Sequence, residues 1–394
     1  MKVLTCVIVG GGYAGIHAIK SIRKAFRKKI GNSTLRLILI DKNPYHLRKV
    51  LLFKPAAGDK DIRIPLTRLL PVDVEFIQAT VTQIESNEQR MLYQDTAGYE
   101  HLMNYDILIL ATGSIVSETD PAQGGIPLHD LDAARKIRKV WSENLKKAIK
   151  ETVPTERRRL MTVAVAGAGI SGIETSAELA HFVRADAESL GLDPNDVRIY
   201  LLNAHQRLFQ EGPVKVGLKL ERLLTNNGIT IVHGKKVLQE KEGKLSLSNG
   251  ETMNVGLCIW TLGLLPNPML QNFGLPLTSK GYVIVDEGYR VHGVTGLYSI
   301  GDSAHITEPI KGQVDGKTCK EATAQAGRLG KIVLADIKGK PAPSHKRVID
   351  FFCFGLGPGQ GLMWTRQWGL DIVLTGKLGW WIRKITWNFA SMVK

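Results

Sequence analysis

The stretch Val3-Leu4-Thr5-Cys6-Val7-Ile8-Val9-Gly10-Gly11-Gly12-Tyr13-Ala14-Gly15 decides the fold class of this chain. Its first seven residues form a β-rich apolar run, the glycines break that run, and Ile16 to Phe26 follows with apolar residues at helical spacing. Next outward, Leu35-Arg36-Leu37-Ile38-Leu39-Ile40-Asp41 is a second apolar strand that ends on an acid. Strand, glycine loop, helix and strand make a βαβ unit suited to a dinucleotide. Gly10 permits the tight turn, Gly12 lets a pyrophosphate approach the backbone, and Gly15 lets helix and strand pack, with the helix N-terminus supplying partial positive charge. Asp41, followed by Lys42, stands where a ribose hydroxyl needs an acceptor; the competing reading is an acid that caps the turn before Asn43-Pro44.

The same grammar returns as Met161 to Ala166 (strand), Gly167-Ala168-Gly169-Ile170-Ser171-Gly172 (loop), Ile173 to Val183 (helix) and Val197 to Asn203 (strand). One GxGxxG is a weak signal and two are a stronger one. Each unit also closes on a small-residue turn: Tyr105 to Leu110 runs into Ala111-Thr112-Gly113, and Leu257 to Trp260 runs into Thr261-Leu262-Gly263. A late strand, Leu297 to Ile300, ends in Gly301-Asp302. The second unit has Asn203 where a carboxylate would favour NADH, with His205 and Arg207 nearby; an amide there neither demands NADH nor repels the 2′-phosphate of NADPH.

Composition fits this reading. With 394 residues, 44% hydrophobic and 23% charged, the chain is long enough for two or three cores and is not compositionally disordered. No stretch approaches the roughly 18 uncharged apolar residues of a membrane span, and the apolar start leads into a glycine loop, so no signal peptide is expected. Cys6, Cys258, Cys319 and Cys353 have no metal-ligand or CxxC spacing, which suits a reducing cytosol and gives no metal site; Cys6 and Cys258 read as core residues. The net charge of +15 calls for an acidic partner or surface; much of it falls in Lys20 to Lys29 and Arg135 to Arg159, both of which read as amphipathic helices. No nucleic-acid recognition motif accompanies it.

The ordered set GxGxxG, ATG, GxGxxG and GD resembles the FAD-dependent pyridine nucleotide reductase superfamily, over about residues 1 to 335. The resemblance implies an α/β fold of two Rossmann-like nucleotide-binding domains, the NAD(P) domain inserted in the FAD domain, plus a C-terminal membrane-associating region. The expected boundaries are 1–117 and 286–335 for FAD, 118–285 for NAD(P)H, and 336–394 for the acceptor side. It implies that Val81, Ala111, Thr112, Gly113, Gly301, Asp302 and Ala324 line the flavin, and that Gly167, Gly169, Ile170, Gly172 and Gly263 hold NADH or NADPH together with Asn203.

Disulfide-reducing branches need cysteine pairs that are missing, and the second cysteine of a sulfide-oxidising site would fall at Glu174, leaving Cys353 alone. The chain looks most like the type II NADH:quinone oxidoreductases, on Gly169 to Glu174, Trp260-Thr261-Leu262-Gly263, Pro266-Asn267, Gly301-Asp302 and Thr323-Ala324-Gln325-Ala326. That likeness implies hydride transfer from NAD(P)H to FAD and then two electrons to a membrane quinone. It makes Glu174 the acid coupling hydride transfer to proton movement and Gln325 part of the quinone-facing wall. The family's second glutamine has no counterpart in Ala326-Gly327-Arg328-Leu329-Gly330, and its basic residue in the later glycine turn is Leu356 here. Bland readings for the two are a helix first-turn acid and a surface helix residue.

Thr318-Cys319-Lys320-Glu321 fits a capping box opening a helix through Ile337, whose N-terminus could stabilise reduced flavin. Five of the seven tryptophans lie in the last 31 residues. There Leu378, Trp381, Ile382, Ile385, Phe389 and Met392 share a helical face while Arg383, Lys384, Asn388, Ser391 and Lys394 occupy the remainder. This predicts a helix lying on anionic lipid, at the cytoplasmic side of the cell membrane; its own core or a second copy in a homodimer are the competing docking surfaces. Rival functions are a soluble reductase of a ferredoxin-like carrier and a slow flavin-holding sensor.

Overall fold

The computed structural model describes residues 3–27, 34–117 and 120–393; Lys28 and Lys29 of the first basic stretch, and Lys394, lie outside them. The opening stretch forms strand β1 (Val3–Val9) and helix α1 (Tyr13–Phe26), and β2 (Thr34–Asp41) follows. Then come β3 (Val74–Glu85), β4 (Arg90–Asp95), β5 (Glu100–Asn104) and β6 (Ile107–Leu110). Helix α2 (Leu131–Lys150) leads to the second unit: β7 (Thr162–Ala166), α3 (Ile170–Ser189), β8 (Arg198–Asn203), α4 (Val214–Asn226), β9 (Ile229–His233) and β10 (Leu257–Trp260). The chain ends with β11 (Leu297–Ser299), α5 (Cys319–Ile337), β12 (Phe351–Gly355), β13 (Gly361–Gln367), β14 (Leu370–Thr375) and α6 (Gly376–Ala390).

The first sheet has the order β11-β6-β1-β2-β3-β4-β5. Its first five strands run parallel, with Cys6 beside both Leu37 and Ile107, and β4 and β5 extend it antiparallel. The chain leaves this sheet after β6 and rejoins it at β11, beside β6. In between it builds a second parallel sheet, β10-β7-β8-β9, edged by Ile126–Pro127. In each sheet the first strand sits at the point where strand order reverses, which opens a crevice at its carboxyl end. Both inner strands are buried on both faces, so they read as unbroken apolar runs rather than alternating ones.

Residues 351–390 fold as an antiparallel sheet β12-β13-β14 under α6. Phe354, Leu362, Trp364 and Trp387 bury this unit into the core of the second sheet. A two-stranded staple, Ser114–Val116 against Leu264–Pro266, ties the two parallel sheets together directly after their small-residue turns. Among the described residues no helix is long and apolar enough to cross a membrane.

Candidate functional site

The three separated stretches of the first unit meet at one point. Gly10 has φ +109°, and a Cβ there would stand 2.3 Å from the Ala111 carbonyl oxygen. A Cβ on Gly301 would stand 3.0 Å from the Ala14 methyl. Gly15 packs so closely on Gly10 that a Cβ would overlap the Gly10 carbonyl. The second loop repeats the construction: Gly167 lies against the Thr261 carbonyl and Gly172 against Gly167.

Gly12 and Gly169 differ from these, because a Cβ on either would meet nothing within 4 Å. Their φ values, −74° and −70°, are open to any residue. Neither packing nor backbone geometry asks for glycine at these two positions, so the demand comes from a group outside the chain that needs to approach the backbone. Each is the N-cap of its helix, neither helix receives a side-chain cap, and neither carries an acid in its first turn. The helix N-terminal N–H groups and the helix dipole therefore face open space at both glycines. Thr112 Oγ1 is also buried with no hydrogen-bond partner among the described residues. These features fit FAD on the first loop and a nicotinamide dinucleotide on the second.

Around the first loop, Asp41 Oδ2 accepts from Gly11 N–H at 2.6 Å and Oδ1 from Asn43 N–H at 2.8 Å. Burial raises its pKa despite those bonds and the nearby Lys42 and Lys49. Asp41 thus caps the turn before Asn43-Pro44 and braces the glycine loop from the strand end. Asp302 Oδ2 accepts from Ser114 Oγ at 2.7 Å, and Lys49 Nζ, accessible in the cleft, donates to the Ser114 carbonyl at 2.8 Å. His46 Nδ1 lies 3.0 Å from the Gly11 carbonyl beneath the loop, and burial lowers its pKa to about 4, so the imidazole is neutral there. Ser114, Lys49 and His46 carried no motif signal; only the position of Ser114 just after Ala-Thr-Gly could have pointed to it. Val81, buried in β3, and Ala324, half-buried in α5, complete the first set.

Five expectations are corrected. Asn203 does not present its amide to a nucleotide: it is 3% exposed, its Oδ1 accepts from His205 N–H at 3.1 Å, and its Nδ2 donates to the Arg207 carbonyl at 2.9 Å. Arg207 is likewise taken up by the carbonyls of Phe209, Gln210 and Gly212. The capping box does not close, because the Thr318 hydroxyl bonds the Glu321 carboxylate instead of a backbone N–H, although the helix does begin at Cys319.

Arg383 does not join the solvated face of the last helix. It is buried and forks onto Glu174, with 2.7 and 2.9 Å contacts to the two carboxylate oxygens, and it stacks over Trp387 at 5.1 Å. Glu174 lies in the second turn of α3, also accepts from Gly355 N–H at 2.7 Å, and is 2% exposed, so it is a locked anchor and not a free acid. A stripe of Gly379, Arg383, Trp387 and Ala390, all buried, was the available signal. Gln325 is neither on the surface nor free to face a quinone: its Oε1 accepts from Gly301 N–H and its Nε2 donates to Asp315, both at 2.8 Å.

Of the cysteines, Cys6 and Cys258 are core residues whose thiols burial pushes up, and Cys353 is pushed up to about 12, chiefly by burial. Among the described residues no cluster could hold a metal ion.

Residues 4–326 match the pyridine nucleotide-disulphide oxidoreductase family. The chain belongs to that family. Among its relatives, a probable NADH dehydrogenase of Dictyostelium discoideum is 28% identical over 94% of this chain and 82% of its own length. A type II NADH:quinone oxidoreductase of Staphylococcus haemolyticus is 22% identical over 96% of this chain and 93% of its own. In fold, the oxidoreductase resembles the NDH2 structure from Plasmodium falciparum in complex with NADH, with a TM-score of 0.79, 18% identity, and coverage of 99% and 97% of the two chains.

Proposed function

We propose that this oxidoreductase is an FAD-dependent NAD(P)H:quinone oxidoreductase acting at a membrane surface. The observation that carries the reading is the pair of glycine loops, each with one glycine that no protein atom requires, joined by the staple beside Gly113 and Gly263. The full-length alignment with NADH dehydrogenases and a type II NADH:quinone oxidoreductase supports it.

Residues 1–117 and 286–335 would hold FAD, with Gly10, Gly12, Ala14 and Gly15 at the pyrophosphate, Asp41 and Lys42 at the adenosine end, and Asp302 at the ribityl chain. Residues 118–285 would hold NAD(P)H through Gly167, Gly169, Ile170 and Gly172, with Gly263 at its nicotinamide end. When bound, FAD supplies hydride acceptance from the nicotinamide and two-electron donation to a quinone. The chain's own work is positional. Lys49 and Ser114 orient the Asp302 carboxylate, Gln325 fixes the Gly301 peptide, and Glu174 fastens α3 to the C-terminal unit. With Asn203 and Arg207 turned inward, these two side chains set neither a carboxylate nor a guanidinium against the 2′ position and so favour neither NADH nor NADPH.

The C-terminal unit supports the membrane reading. Leu378, Trp381, Ile385 and Phe389 of α6 are 44% or more exposed, together with Trp368 and Leu370 at the start of β14, and Lys377 and Lys384 flank them. One face of α6 docks on the protein through Arg383 and Trp387 while the opposite face offers apolar surface with basic neighbours, as an interfacial helix does on the cytoplasmic leaflet. Anaerobic mixing of the yellow holoprotein with NADH and then a quinone analogue tests the function. The expected result is bleaching of the flavin band and its return on adding quinone; bleaching without return would contradict quinone as acceptor.

A further inference from the structure

A chain of buried polar groups runs from the strap after α5, at His345, to the Gly301 turn, where its last member, Gln325, holds the Gly301 peptide. His345 is 1% exposed, Asp315 6% and Gln325 2%. Arg328 Nη1 donates to the Tyr289 hydroxyl at 3.3 Å, and that hydroxyl lies 3.0 Å from His345 Nδ1. His345 Nε2 lies 3.2 Å from Asp315 Oδ1. Asp315 Oδ2 accepts from Gln325 Nε2 at 2.8 Å, and Gln325 Oε1 accepts from Gly301 N–H at 2.8 Å.

The Asp315 carboxylate fixes the directions of the links on either side of it. A carboxylate only accepts, so the Gln325 amide turns its NH2 toward Asp315 and its oxygen toward Gly301. The same carboxylate takes a proton-bearing Nε2 from His345. The Tyr289 hydroxyl lies against Nδ1 and accepts from Arg328. Reversing either link to Asp315 would set acceptor against acceptor in a buried place.

We infer that His345 is a positioning residue for the flavin turn, acting through Asp315 and Gln325 on the Gly301 peptide and thereby on the Asp302 carboxylate. The inference rests on the proposed reading that this turn holds FAD. Gly301 has φ +73° and abuts Ala14, so a small rotation of its peptide moves the contact with the first loop as well as Asp302. His345 also anchors the strap by its backbone, donating its N–H to the Glu287 carbonyl at 2.7 Å. The strap leads straight into β12, so the C-terminal unit and the flavin turn share one fastening.

Two near-isosteres separate positioning from packing. His345→Gln keeps an N–H where Nε2 stood, whereas His345→Asn keeps a polar atom only near Nδ1. The glutamine variant is expected to match the wild type in FAD affinity, visible spectrum and flavin midpoint potential. The asparagine and His345→Leu variants are expected to bind FAD about tenfold more weakly or worse, with shifted spectrum and potential. Tyr289→Phe, which removes the hydroxyl between Arg328 and Nδ1 but leaves the Nε2 contact with Asp315, should leave all three readouts unchanged. Should the leucine variant fail to fold, the glutamine and asparagine variants decide the matter alone. A glutamine variant that behaves like asparagine, or variants that all match the wild type, would overturn the inference while leaving the proposed function standing. A wild type that holds no flavin would overturn both.

Discussion

Asn203 occupies the strand-end position that sets nucleotide preference in such units, yet its side chain braces the loop that follows. Asn203→Asp would remove the donor to the Arg207 carbonyl and set a buried carboxylate against it. The expected outcome is a loss of about 1–3 kcal/mol of stability in urea titration, with no gain in NADH over NADPH selectivity in kcat/KM. The position was legible in the sequence and the orientation was not, because orientation depends on how residues 205–212 coil back over the strand. His46 has the opposite history, unremarked in the sequence and central in the structure. Burial takes its pKa from the ordinary 6.5 to about 4, so between those values the unfolded chain binds the extra proton. Its contribution is intact above about pH 6.5 and falls as pH drops toward about 4, by about 3 kcal/mol at most. Urea midpoints measured across that window should fall less steeply in His46→Asn, which keeps a donor to the Gly11 carbonyl.

At the scale of elements, periodicity located the helices well, since strand, loop and helix grammar is local. It misplaced one face of α6 because the partner of Arg383 is Glu174, 209 residues away. A charged residue in an amphipathic pattern reads as solvated unless that partner is known. Removing one member of a buried, forked pair strands the other, so Glu174→Gln and Arg383→Met should each cost about 3–5 kcal/mol. The double variant should cost well below their sum, as a double-mutant cycle in thermal or urea unfolding would record. The capping box failed for a related reason: Thr318 and Glu321 have the right spacing but bond each other.

For the molecule as a whole, the insertion of one nucleotide unit into another was readable, because the order of four short motifs survives without any long-range contact being known. The staple and the C-terminal sheet were not. The staple strands are three residues each, too short to show alternation, and β13 is buried through most of its length by packing against a unit far away in sequence. The buried pair also changes how the membrane surface should be probed. Deletion from Leu378 onward would leave Glu174 without Arg383 and confound binding with stability. The paired substitution Trp381→Asp and Phe389→Asp alters only exposed side chains. It should weaken sedimentation with anionic lipid vesicles by about tenfold or more, while NADH-dependent dye reduction in solution stays unchanged.

Gly12 and Gly169, where packing and backbone do not require glycine, give the most direct test of two separate dinucleotide sites. A side chain at Gly12 or Gly169 meets open space, so Gly12→Val and Gly169→Val should both fold, with stability within about 1 kcal/mol of the wild type. The measurement is flavin content of the purified variants followed by anaerobic addition of NADH. Gly12→Val should emerge colourless, and Gly169→Val should be yellow but not bleached by NADH at concentrations that bleach the wild type. Full flavin in the first, or wild-type bleaching in the second, would contradict the assignment of the two loops.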